Sequence, residues 1–121
     1  MSVFEKGTPG SINDAAWLET LAQLILKNIE NPGFSVEKLS ELLTMSRPVL
    51  FRKCKNITGK SPQHYIKHIR LQKSLELLKQ RKLNINEVAY ACGFGDPKYF
   101  STSFKKNYGK TPTQYLKEQP L

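Results

Sequence analysis

Apolar residues recur at helical spacing through most of this chain, and the strict alternation of a half-buried strand is absent. Trp17, Leu18, Leu21, Leu24, Ile25 and Ile29 predict a first helix, capped near Asn13 or Asp14 and stopped by Asn31-Pro32-Gly33. Ser35 is a plausible N-cap for a second helix whose buried stripe is Val36, Leu39, Leu42 and Leu43, ending in a turn at Thr44-Met45. Ser46 caps a third, with Leu50, Cys54 and Ile57 inward. Ser61-Pro62 then opens a long helix to about Gln80, carrying Tyr65, Ile66, Ile69, Leu75 and Leu78. Asn84 and Glu87 have the spacing of a capping box for a fifth helix containing Ile85, Val88, Ala91 and Cys92, which Gly93 ends. Asp96-Pro97 starts a sixth with Phe100 and Phe104 inward, and Thr111-Pro112 a short seventh with Tyr115 and Leu116. The expected fold class is all-α, with seven helices.

The pattern contains a repeat. Val36, Leu39, Ser40 and Met45 answer to Ile85, Val88, Ala89 and Phe94 at an offset of 49. One residue is then inserted, and Leu50, Cys54, Lys55, Gly59, Lys60, Ser61, Pro62 and Tyr65 answer to Phe100, Phe104, Lys105, Gly109, Lys110, Thr111, Pro112 and Tyr115 at an offset of 50. A duplication constrains the fold more than any single element. It divides the chain into an expected linker or disordered N-terminus at 1–13 and a domain at 14–118 that carries both copies. Within that domain lobe one covers about 14–62, a linker helix about 62–80 and lobe two about 81–118. Each lobe is near the size at which an isolated core is marginal, so the lobes are expected to share the linker helix. At 1.5 Å per residue, nineteen residues span roughly 28 Å.

Composition adds little, since 39% apolar and 24% charged residues are ordinary for a globular protein. Charge adds more: of the net +9, residues 1–34 hold two lysines against four acids, and residues 35–121 hold seventeen Lys or Arg against six. The basic character belongs to the repeat, and a polyanion is its natural partner. No stretch reaches the ~18–20 consecutive apolar residues of a membrane span, and the N-terminus lacks the regions of a signal peptide. Cytoplasmic residence without membrane contact by this segment is expected.

Several motifs have competing readings. Gly59-Lys60-Ser61 and Gly109-Lys110-Thr111 imitate the end of a phosphate-binding loop, but Cys54 and Phe104 stand where its first glycine is required, and no strand precedes. Helix-ending glycines followed by Ser or Thr caps account for both. His64 and His68, four apart, lack a third ligand. Cys54 and Cys92 read as buried thiols. No nucleophile, base and orienting group cluster in sequence, so neither an enzyme nor any cofactor or metal is expected.

A short helix, a tight turn and a second helix with a basic face make up the helix-turn-helix plan, whose second helix enters the DNA major groove. Here it occurs twice, with recognition helices at about 46–58 and 96–108. On a connector of roughly 28 Å they could reach successive groove segments about 34 Å apart. The run Met45-Ser46-Arg47 to Thr58-Gly59-Lys60-Ser61-Pro62, then Tyr65 and Arg70-Leu71, resembles the DNA-binding domain of the AraC/XylS family of bacterial transcription regulators. So do Ile85-Asn86-Glu87-Val88-Ala89, Cys92-Gly93-Phe94, Asp96-Pro97-Lys98-Tyr99-Phe100-Ser101, Phe104-Lys105-Lys106 and Gly109-Lys110-Thr111-Pro112.

That resemblance implies two helix-turn-helix lobes on a long linker helix and sequence-specific binding of double-stranded promoter DNA. By position it implies that Pro48, Phe51 and Arg52 face the groove from the first lobe, and Lys98, Tyr99 and Thr102 from the second. Arg47 adds a further charge to the first reading face. Arg52 is the strongest candidate for a base contact, because a guanidinium bonds two acceptors of guanine at once. Lys55, Lys105 and Lys106 are candidate phosphate contacts. Phe51 departs from the small or polar residue common there in the family, and can meet a thymine methyl group or fold back on the lobe.

The second helix offers no arginine, so its reading is expected to depend more on DNA shape. The phrasing is most like the C-terminal output domain of a hybrid two-component sensor, in which case dimerisation would come from a portion absent here. The alternative class is a protein-interaction module that contacts RNA polymerase or a partner, with non-specific DNA affinity.

Overall fold

The computed structural model describes residues 12–120, without the side chain of Ile12. The first eleven residues of the expected N-terminal linker lie outside it. Among the described residues seven helices run in order: α1 Ile12–Lys27, α2 Val36–Leu43, α3 Arg47–Thr58, α4 Pro62–Gln80, α5 Ile85–Ala91, α6 Pro97–Tyr108 and α7 Pro112–Glu118. No strand occurs among the described residues. Among the described residues the chain divides into two compact units, one of residues 12–28 and 34–69, the other of 29–33 and 70–120. The continuous helix α4 therefore contributes its first eight residues to one unit and the rest to the other.

In the first unit α1 begins at Ile12, ahead of the expected cap, with Asp14 inside its first turn where a carboxylate complements the helix dipole. It also stops before Asn31. Asn28 closes it: the side-chain amide donates to the Leu24 carbonyl at 2.8 Å and the backbone N–H to Ile25 at 3.1 Å. Ser35 caps α2, its hydroxyl accepting from the Lys38 N–H at 3.2 Å. The inward arc of α2 is Leu39 and Ser40, both buried, flanked by half-buried Val36 and Leu43. Leu42, expected inside, is 43% exposed. At about 100° per residue it falls off the edge of that arc, and Ser40 fits the inward place by donating to the Glu37 carbonyl at 2.8 Å. Ser46 caps α3, which buries Leu50, Cys54 and Ile57 as expected.

The second unit repeats this frame in aromatic form. Asn84 and Glu87 make the capping box, each side chain accepting from the other's backbone N–H at 2.8 and 2.9 Å. Val88, Ala89 and Cys92 pack against Phe94, Phe100 and Phe104, joined by Leu71 and Leu78 of α4. The ring centroids of Phe94 and Phe100 are 5.1 Å apart, those of Phe104 and Tyr108 4.7 Å, and Phe104 meets Tyr115 edge-on at 5.8 Å. Leu71 and Ser74, outside the expected apolar set, are buried, and Ser74 donates to the Leu71 carbonyl at 2.6 Å. Arg81, beyond the end of α4 in the left-handed region at φ 55°, donates to the carbonyls of Leu116 and Gln119 at the end of α7.

The repeat is also a repeat of burial. Leu39, Leu50, Cys54 and Pro62 are buried, as are Val88, Phe100, Phe104 and Pro112, while Tyr65 and Tyr115 are both half-buried. Gly59 and Gly109 end α3 and α6 in the left-handed region at φ 77° and 81°. The Ser61 and Thr111 hydroxyls then accept from the N–H three residues on. The sequences that imitate a phosphate loop are thus cap chemistry.

Candidate nucleic-acid interface

Burying Leu50, Cys54 and Ile57 rotates the opposite side of α3 outward, because residues three, four and seven apart share one face. Arg47, Pro48, Phe51, Arg52 and Lys55 are all exposed. In α6 the buried set is Phe100, Ser103 and Phe104, and Lys98, Tyr99, Thr102, Lys105 and Lys106 are exposed. Each unit brings its expected residues together on one helix.

Their arrangement is finer than the sequence suggested. At about 100° per residue, the centre of the outer face of α3 is Pro48, Arg52, Lys55 and Asn56. Fifty residues on, these places hold Lys98, Thr102, Lys105 and Lys106. Asn56, exposed and in the register of Lys106, was not singled out from sequence, although the offset of the repeat points to it. Its amide has the donor and acceptor pair that matches adenine. Phe51 and Val49, 51% and 41% exposed, flank the polar centre on either side. Tyr99, in the register of Val49, is 51% exposed, with its ring 5.7 Å from the core ring of Phe94.

The charges on these faces are not neutralised. The ion pairs among the described residues are Lys38–Glu41, Lys73–Glu76 and Lys110–Glu118, so none engages the cations of either outer face. No acid occurs in α3 or α6. Lys53, at the side of α3, instead lies 5.0 Å from the Trp17 ring, a cation–π contact. A helix face with several unpaired cations around hydrogen-bonding side chains suits a phosphate-lined groove.

Other candidate chemistry is occupied. Cys54 and Cys92 are fully buried. Burial pushes both thiols up, Cys92 to about 12, and the Thr58 hydroxyl only partly offsets the effect at Cys54. Neither is a thiolate at neutral pH. The Nδ1 of His64 lies 3.1 Å from the Ser61 hydroxyl. The His68 ring lies 5.8 Å from that of Tyr65, and burial followed by the charge of Lys60 holds its pKa down.

Known proteins share this architecture. A family model described as a helix-turn-helix domain matches residues 39–118. Histidine kinase P4 of Formosa agariphila is 38% identical over 112 residues, covering 89% of this chain and 8% of the kinase. The C-terminal domain of AraT, a response regulator from Geobacillus stearothermophilus, superposes with a TM-score of 0.79 at 34% identity, covering 86% of each chain. The DNA-binding domain of AdpA, a global transcriptional factor solved in complex with a target DNA, superposes with a TM-score of 0.76 at 27% identity, covering 83% of this chain and 89% of that one. The chain spans between 8% and 33% of the length of the curated relatives it matches. Its helices, its duplicated core and the matched family model together show that the chain belongs to the AraC-type family of helix-turn-helix domains.

Proposed function

We propose that the chain binds double-stranded promoter DNA sequence-specifically and regulates transcription, with α3 and α6 reading successive major-groove segments. The observation that carries this reading is the pair of exposed, acid-free helix faces built on one repeated scaffold. The structural likeness to the AdpA domain, which was solved on its target DNA, supports it.

In the first unit Arg52 sits at the centre of the face and is the residue best suited to guanine, with Pro48 and Phe51 beside it and Arg47 at the helix start. In the second, Lys98, Tyr99 and Thr102 supply base contacts with less hydrogen-bonding specificity, and DNA shape contributes more. Lys55, Lys105 and Lys106 bind phosphate and fix register without reading sequence. The likeness to a histidine kinase and a response regulator supports a role as the output segment of a two-component signalling protein. Cytoplasmic residence follows from access to the chromosome. Dimerisation belongs to other segments of such a protein, and RNA polymerase is the partner through which bound regulator would alter transcription.

Salt titration of binding to a selected duplex and to its scrambled counterpart tests this. With the three assigned phosphate contacts alone, affinity falls by at least about 40-fold between 50 and 200 mM salt, and the selected duplex keeps its advantage throughout. Lys105→Ala weakens both duplexes alike and reduces the salt slope by about 0.9. Equal affinity for the two duplexes, or binding indifferent to salt, would sink the proposal.

A further inference from the structure

The turn at residues 29–33 follows α1 in sequence and yet packs in the second unit. Two contacts hold it there and a third shapes it. The Arg70 guanidinium, from α4, donates to the Asn31 carbonyl at 2.9 Å. The Asn31 side-chain oxygen accepts from the Gly33 N–H at 2.9 Å, which closes the turn on itself. The Ile29 carbonyl lies so close to Gly93 that a Cβ there would stand 2.0 Å from it, and 2.8 Å from Arg70 Nε.

Gly93 belongs to the turn between α5 and α6. A Cβ on the next turn glycine, Gly95, would lie 3.6 Å from the Cβ of Pro32. Gly95 is also the residue by which the second copy of the repeat exceeds the first. In the first copy the place of Gly93 is held by Thr44, left-handed at φ 54° and exposed. A side chain is thus accommodated in one turn and forbidden in the other, and the difference is the covering segment 29–33.

We propose that Arg70 is a positioning residue for the second recognition helix, strapping residues 29–33 onto the α5–α6 turn and so fixing the start of α6. Its Nε is buried without a hydrogen-bond partner, a desolvation cost that the Nη2 bond to Asn31 and the close packing of the turn must offset. Burial depresses the Arg70 pKa, as desolvation disfavours a charged guanidinium. Its consequence for DNA rests on the proposed function; its consequence for the turn does not.

The test uses the full chain with Arg70→Ala, Arg70→Lys and Asn31→Ala, the last loosening the same turn without changing charge. In DNA-free protein, Arg70→Ala speeds amide exchange over residues 93–99 about tenfold and leaves 44–49 within about twofold. On duplexes altered in one half-site at a time, it lowers discrimination at the α6 half-site by about fivefold or more and leaves the α3 half-site unchanged. Arg70→Lys does not restore either value, because an ammonium cannot reproduce the planar fork. Asn31→Ala shifts both in the same direction by less. Equal loosening of both turns, no change in either, or full rescue by lysine would overturn the proposal. If the wild-type chain discriminates no half-site, the DNA reading fails and the exchange measurement alone decides the strap.

Discussion

In the first unit the repeated frame closes on Leu39, Leu50 and Cys54, whereas in the second the same three places hold Val88, Phe100 and Phe104. The outer faces diverge further: Pro48, Arg52, Lys55 and Asn56 answer to Lys98, Thr102, Lys105 and Lys106. The cap positions and the helix-ending Gly59 and Gly109 kept their roles, because they satisfy helix-end N–H and C=O groups whatever the core contains. The turn within each unit differs, with Thr44 in one and Gly93 in the other. A duplicated scaffold thus separates two tasks. The caps and buried positions preserve the helix-turn-helix geometry, and the exposed positions are free to acquire different readings.

The core difference sets the largest expected effect. Phe104→Ala removes a fully buried ring in contact with three other aromatic rings, those of Phe100, Tyr108 and Tyr115, and it should cost about 3–5 kcal/mol in urea denaturation. Cys54→Ala, at the matching place, should cost about 1 kcal/mol, the scale of one small buried group. Equal costs would mean that the two cores are energetically alike in spite of their composition.

The turns come next. Gly93→Ala drives a methyl group into the Ile29 carbonyl at a left-handed position, and a loss of about 3 kcal/mol or more is expected. Thr44→Gly relieves left-handed strain at the matching turn and adds chain entropy to the unfolded state, so it should change stability by less than about 1 kcal/mol. Similar destabilisation by both would deny the asymmetry of the two turns.

Base reading is a smaller effect and a sharper one. Arg52→Ala should lose about 1–3 kcal/mol on the selected duplex and relax preference at one or two base positions, while Thr102→Ala loses under about 1 kcal/mol. Competition assays over single-base variants measure both. Smallest is the apolar contact. If Phe51 meets a thymine methyl, replacing that thymine by deoxyuridine should cost the wild type about 0.8 kcal/mol and Phe51→Ala nothing. A cost that persists in Phe51→Ala would place the methyl contact elsewhere.

Much of the fold could be read along the chain because its signals are local. Ser35, Ser46, Asn84, Asp96 and Thr111 cap helices within three residues of themselves, and buried positions recur at the helical period. The exposure of the basic residues follows from the same period. Long-range features were not legible. Nothing near Asn31 in sequence indicates that its carbonyl meets Arg70, thirty-nine residues away, or that the turn belongs to the second unit. Leu42 misled because an eight-residue helix has too few turns to mark the edge of its buried arc, and a serine bonded to its own backbone fills the inward place. Asn56 escaped notice because it carries no charge, although its lysine counterpart did not.

The central claim is that this one chain reads DNA twice, differently with each unit. Selection of preferred duplexes from a random pool by the wild-type chain tests it most directly. Two short, dissimilar half-sites about one helical turn apart are the predicted result, the one read by α3 richer in guanine contacts. A single short site, or two copies of the same half-site, would contradict it.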